Sequence, residues 1–289
     1  MHKFCDIIET RENYLFMKKI ILLFFAILLI ATQKAYAETI KFIQVTDAHV
    51  TANNQYSQKV LKSTVQDINK QQGVSFVVFT GDSIDTARED NLKVFLKIVN
   101  QLNIPYYIAL GNHDVYKSGG LSKTRYFELI RQYKWFFPQR KPNYKFSKNK
   151  FNFYIVDGAK EIIPGPVGYY KEDTLKWLDK QLSKNSKRPA IIFQHYPLVY
   201  PENSEGRLKT HKTYKANEYL EMLNKHDNVL AVISGHFHRN SENMQNGVYH
   251  ISSPSLLNLP HYYKIIDIVT TKEFSPIIYT QLREVEVKE

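Results

Sequence analysis

From residue 40 onward one local pattern recurs. A short apolar run rich in β-branched and aromatic residues is followed by a polar cluster and then by an amphipathic stretch of helical length. This alternation confines the chain to α/β layering. The runs are Ile40–Val45, Phe76–Thr80, Tyr106–Leu110, Phe151–Val156, Ala190–Phe193 and Val229–Ile233. Between them, Val60, Leu61, Val65 and Ile68 share one helical face, Leu92, Phe95, Leu96 and Val99 a second, and Leu175, Leu178 and Leu182 a third. Thr86 and Glu89 have capping-box spacing and predict the start of the second helix. After Gly247 the segments Val248–Ser252, Tyr263–Val269 and Pro276–Leu282 read as strands without intervening helices, which predicts an antiparallel second part. Two stretches, 116–150 and 196–217, read as long excursions, the kind of loop that carries function or moves.

The N-terminus departs from the pattern. Met17-Lys18-Lys19 precedes an apolar run from Ile20 to Ala31, and Ala35-Tyr36-Ala37 has the small-x-small form read by signal peptidase. Twelve residues at about 1.5 Å each span about 18 Å, short of the roughly 30 Å hydrocarbon core. Residues 1–37 are therefore expected to be a cleaved signal peptide, with 1–16 an extension upstream of a start at Met17. Residues 38–289 are then expected to form the working domain, periplasmic or extracellular and without stable membrane insertion. The net charge of +11 falls to +9 over residues 38–289, which hold 34 Lys+Arg and 25 Asp+Glu. That basicity permits a phosphate-bearing partner, nucleic acid included, but says nothing about fold. The only cysteine, Cys5, precedes the expected cleavage point, which excludes a disulfide framework and a thiolate metal site.

The chemistry-bearing residues sit where strands end. Asp47 and His49 follow the first run, Gly81-Asp82-Ser83-Ile84-Asp85 the second and Gly111-Asn112-His113-Asp114 the third. His195 closes the Ala190 run, and Gly235-His236-Phe237-His238 closes the Val229 run. Ligands of open α/β sheets bind at the carboxyl ends of strands, so five clusters converge on one edge. Two Asp, one Asn and four His offer oxygen and imidazole donors suited to Zn, Mn or Fe, and seven ligands are too many for one ion.

This ordered set, Asp-x-His, Gly-Asp-x-x-Asp, Gly-Asn-His-Asp, a lone His and Gly-His-x-His, resembles the calcineurin-like metallophosphoesterase family over about residues 40–258. The resemblance implies a four-layer α/β fold, two mixed β-sheets packed face to face between helices, with a dinuclear metal site at the carboxyl ends of strands. It implies that Asp47, His49, Asp82 and His238 hold one ion, and Asp82, Asn112, His195 and His236 the other. It further implies attack on phosphorus by a metal-bridging hydroxide, with His113 stabilising or protonating the leaving oxygen and Asp114 orienting His113.

Departures from subfamily patterns narrow the substrate. Thr86-Ala87 after Asp85 and Asp114 after His113 disfavour a protein phosphatase, and His49 and Asp85 stand where a purple acid phosphatase carries Gly and a tyrosine ligand. The 51 residues after His238 are too few for the C-terminal domain of a secreted 5′-nucleotidase. The remaining pattern is most similar to bacterial phosphodiesterases of the cyclic-nucleotide type. A small phosphate ester or nucleotide is the expected substrate, with a metal-dependent nuclease, a phosphomonoesterase and a catalytically silent binding scaffold as alternatives. Among other residues, Asp85 is expected as a turn residue before a helix, His211 and His226 as solvated, and His250 and His261 as structural. Tyr116 and Tyr196 are candidate substrate contacts.

Overall fold

The computed structural model describes Met17, residues 38–270 and residues 276–287. The expected leader, Met17 apart, lies outside the described residues. The chain divides into a large unit, residues 39–269 with 276–289, and a small one, 1–38 with 270–275, of which only Met17, Glu38 and Thr270 are described.

Among the described residues, strands β1 (Glu38–Val45), β2 (Val77–Thr80) and β3 (Tyr106–Ala109) alternate with helices α1 (Gln55–Ile68) and α2 (Glu89–Val99). Helix α3 (Lys123–Tyr133) and strands β4 (Tyr144–Lys148) and β5 (Phe151–Ile155) follow. Then come α4 (Glu172–Lys184), β6 (Ala190–Phe193), α5 (Glu205–His211), α6 (Ala216–Leu223) and β7 (Val229–Ser234). The last elements are β8 (Ser241–Gln245), β9 (Val248–Ser252), β10 (Tyr262–Thr270) and β11 (Ile277–Glu284). The strands form a five-stranded sheet in the order β11-β10-β1-β2-β3 and a six-stranded sheet in the order β4-β5-β6-β7-β9-β8.

Both sheets are mixed: the six-stranded sheet is parallel at its centre and antiparallel at both edges, whereas the five-stranded sheet is antiparallel at its β10–β11 edge and parallel through β1, β2 and the edge strand β3. The antiparallel expectation for the C-terminal part needs correction at β9, which pairs with β7 in parallel while pairing with β8 in antiparallel fashion. The excursion 116–150 contains α3 and β4, and 196–217 contains α5 and the start of α6.

Alternation along the strands builds the layers. In β1, Ile40 and Phe42 point to one face and Ile43 and Val45 do not share it. Just before and within β2, Phe76 and Val78 likewise face away from Val77 and Phe79. The faces bearing Phe42 and Phe76 meet those of the other sheet. Phe42 lies edge-on to Phe153 and Phe193 at 5.9 and 5.5 Å, and Phe76 lies edge-on to Phe153 at 5.0 Å. The opposite faces pack on the apolar stripes of the helices, including Leu61 and Val65 of α1, Leu92 and Phe95 of α2 and Leu178 of α4. The result is the four-layer α/β fold with two sheets face to face.

Helix α1 begins at Asn54, whose side chain accepts from the amides of Tyr56 and Ser57. Helix α2 does not use the expected capping box. Arg88 is its N-cap residue without a side-chain cap, and the Thr86 hydroxyl accepts from Asn91 instead. Among the described residues, no helix is long and apolar enough to cross a membrane.

Candidate metal centre

Parallel register brings the strand ends level. The β1–β2 ladder continues beyond the strands, with Asp47 N donating to Gly81 O and His49 N to Asp82 O, each at 3.0 Å. In the other sheet Gly235 N donates to His195 O at 3.0 Å. Asp47, His49, Asp82, His236 and His238 all adopt left-handed backbone, with φ between 42° and 69°. Such conformations cost non-glycine residues about 1–3 kcal/mol each and persist where surrounding bonds over-determine them.

Those bonds are present. Asp47 Oδ2 accepts from Thr46 Oγ1 at 2.6 Å and from the His236 amide at 3.0 Å, joining the two sheets. Ser255 Oγ donates to Asp47 O at 2.8 Å. Gln44, fully buried beneath the site, donates to Thr80 Oγ1 and Ser234 O and accepts from Ser253 Oγ. The motif glycines give the ligands room: a Cβ at Gly111 would fall on the Asp82 carboxylate, and one at Gly235 on Thr46 and Asp47.

The side chains form three groups that could each hold an ion, one of them His49, Asp85 and His113. Asp47, His49 and His238 present donor atoms close enough to share one ion, as do Asp82, His195 and His236. Asp47 Oδ1 lies 3.1 Å from His238 Nε2, and Asp82 Oδ2 lies 3.2 Å from His195 Nε2. His195 Nδ1–H donates to Thr80 O at 2.9 Å, leaving Nε2 as the free donor atom. His236 Nε2–H donates to Pro166 O at 2.8 Å, leaving Nδ1, which faces His195 Nε2 at 3.1 Å. Backbone carbonyls thus set both tautomers, as is usual for metal-binding imidazoles.

A cation fits this donor set. Asp47 Oδ1, both ring nitrogens of His49 and Asn112 Oδ1 are buried without hydrogen-bond partners. Leaving such atoms unpaired costs about 1–3 kcal/mol each, and a divalent ion removes that cost. Burial opposes ionisation of Asp47 and Asp82, yet His238 beside the first and His195 beside the second hold both carboxyls well below the usual range. Against its own burial, His195 is pushed up to about 9 by Asp82. Burial and the His195 charge push His236 down to about 3.

Several expected roles change. Asp114 does not orient His113: its carboxylate accepts from the Gly111 and Ile84 amides and so shapes the turn. Burial and the Asp82 charge push Asp114 up to about 7. His113 is oriented by the Asp85 carbonyl, 2.5 Å from its Nδ1, and by its own amide, which donates to Asp82 Oδ1 at 2.9 Å. Asp85 therefore belongs to the site, and its carboxylate also lies 3.5 Å from His49 Nδ1. His211, expected in solvent, has its ring 5.1 Å from that of His236. His226 is paired with Asp179 at 2.7 Å. His250 is buried with Nδ1 unpartnered, whereas His261 is bonded at both nitrogens, to Tyr56 and Leu256. Tyr196 is fully buried under His195 and His236, so it supports the site rather than reaching substrate, while Tyr116 is exposed.

Comparison with known proteins agrees with this arrangement. A family model described as calcineurin-like phosphoesterase matches residues 40–240. A probable glycerophosphodiester phosphodiesterase of Arcobacter nitrofigilis is 27% identical over 74% of this chain and 77% of its own length. A 3′,5′-cyclic adenosine monophosphate phosphodiesterase of Haemophilus influenzae is 24% identical over 77% of this chain and 78% of its own length. A dimetal phosphatase from Danio rerio shares the fold, with a TM-score of 0.61 and 16% identity over 84% of this chain and 99% of that one. Matched along most of its length and carrying paired Asp/His groups at its strand ends, the chain belongs to the calcineurin-like phosphoesterase family and is a metal-dependent phosphoester hydrolase.

Proposed function

We propose that this chain is an exported phosphodiesterase that uses two divalent ions, Mn, Fe or Zn, to hydrolyse small phosphate diesters or nucleotides. The observation that carries the reading is the pair of Asp/His groups, Asp47-His49-His238 and Asp82-His195-His236, with unpartnered buried ligand atoms at Asp47, His49 and Asn112. In this reading Asp47, His49, Asp82 and His238 hold one ion and Asp82, Asn112, His195 and His236 the other. The names of the Arcobacter and Haemophilus relatives support the diester preference.

A bound pair of divalent ions supplies a nucleophile from water near neutral pH and offsets charge on the phosphoryl oxygens. The chain's own residues do the rest. The backbone carbonyls of Thr80 and Pro166 keep His195 and His236 in their ligating tautomers. The Asp85 carbonyl accepts the Nδ1–H of His113, which leaves Nε2 as the atom that, when the ring carries a second proton, can give it to the departing oxygen. Asp114 holds the turn that presents His113.

The test is hydrolysis of bis(p-nitrophenyl) phosphate and p-nitrophenyl phosphate by residues 38–289 reconstituted with Mn, Zn or Fe. The reading expects diester turnover that chelation abolishes. Inactivity on both probes with every metal would overturn it. Export is tested separately, by N-terminal sequencing of the product recovered outside the cytoplasm. A start at Glu38 is expected, and any other start would contradict the cleavage site.

A further inference from the structure

Helix α5 has no buried residue, so apolar packing does not explain its position. Polar contacts hold the segment against the site. Arg207 Nη1 donates to His236 O at 3.0 Å, and beyond the helix Tyr214 N donates to Gly168 O at 2.8 Å. One turn after Arg207 on the same face, the His211 ring lies 5.1 Å from His236, with Nδ1 2.7 Å from Thr210 Oγ1. Among the described residues neither Arg207 nor His211 has a carboxylate partner, and both are half-buried. Lys215, nearby in sequence, is instead paired with Glu218.

A half-buried guanidinium with one N–H committed and no counter-charge is an anion receptor, because the remaining donors suit a phosphate or carboxylate. Its location separates it from His113. His113 lies beside His49, with ring centroids 4.8 Å apart, and thus flanks the Asp47 group. Arg207 and His211 flank the His195–His236 group.

We propose that Arg207 and His211 form a subsite for a second anionic group, carried on the part of the phosphoester that is not expelled. The preferred substrate is then a phosphoester with an additional phosphate or carboxylate. This deepens the phosphodiesterase reading and rests on it for the scissile bond. Arg207 has two tasks in the subsite: it fixes the His236 backbone and faces the second anion.

A matched pair of probes isolates the second phosphate. Equilibrium binding of thymidine 3′,5′-bisphosphate is compared with that of thymidine 5′-monophosphate on the metal-loaded chain, together with turnover of their 5′-(p-nitrophenyl) esters. The second phosphate is expected to improve binding and kcat/KM about tenfold or more, the scale of one charge-assisted contact. Arg207→Gln, which keeps a donor for the His236 carbonyl, and His211→Ala should each bring both ratios toward one. Lys209→Ala, an exposed lysine of the same helix, should leave both ratios as in the parent. A parental ratio near one, an unchanged ratio in Arg207→Gln, or an equal loss in Lys209→Ala would overturn the subsite. Hydrolysis with no discrimination would sink the subsite alone. Discrimination in binding without turnover of either ester would leave the subsite standing and remove the phosphodiesterase reading.

Discussion

Gly111→Ala separates the metal centre from general stability. A Cβ at Gly111 would collide with the carboxylate and the backbone nitrogen of Asp82, which shares a ligand group with His195 and His236. Gly111 is not in left-handed backbone, so the whole penalty is steric. Overpacking of this kind costs about 1–3 kcal/mol of stability. Because the atom that must move belongs to Asp82, metal affinity should fall as well, by about 10–100-fold, the usual effect of disturbing the support of a ligand. Gly73→Ala is the control. Gly73 has φ of 73° with no atom within 4 Å of where a Cβ would stand, so the change strains the backbone by about 1 kcal/mol without touching the site. Denaturant unfolding of the metal-free proteins reads the first effect, and metal titration reads the second. Both variants should lose stability, and only Gly111→Ala should lose affinity. Parental affinity in Gly111→Ala, with a stability loss no different from Gly73→Ala, would refute the claim that Gly111 is small to make room for Asp82.

Three further outcomes follow from the structure. His113→Ala should retain bound metal but lose turnover, most with poor leaving groups; parental rates on natural esters would remove His113 from the chemistry. His250, which burial pushes down to about 4, should make folding weaken in acid. Above about pH 6.5 it is neutral in both states, but between about pH 6.5 and 4 only the unfolded chain takes up its proton. Stability therefore falls through that window by up to about 3 kcal/mol, a loss that His250→Leu should lessen in paired unfolding curves. Phe42→Ala, which empties the aromatic contact between the sheets, should cost about 3–5 kcal/mol in denaturant unfolding.

The parts of the fold legible in sequence are those decided by their own residues. Ala190–Phe193 and Val248–Ser252 read as strands because apolar runs of that length must be covered, and both form at those bounds. Strand β8, Ser241–Gln245, carries no such signal: it is a polar edge strand formed by pairing with β9. Helix α5 escapes for the same reason, having no apolar stripe. At the site, Asp47, Asp82 and the histidines could be read from their places after strands. Their supports could not, because Thr80, Asp85 and Pro166 act through backbone carbonyls, which every residue possesses. Asp114 misled because a carboxylate next to His113 in sequence turns instead to the Gly111 and Ile84 amides. Arg207 and His211 reach the site across the fold from an excursion whose path no local pattern encodes.

Metal content per chain tests the central claim most directly. Residues 38–289, loaded with Mn or Zn and passed through gel filtration, should carry two ions, and Asp82→Asn should weaken or empty both positions at once. One ion in the parent, or full occupancy in a folded Asp82→Asn variant, would contradict a two-ion centre built around Asp82.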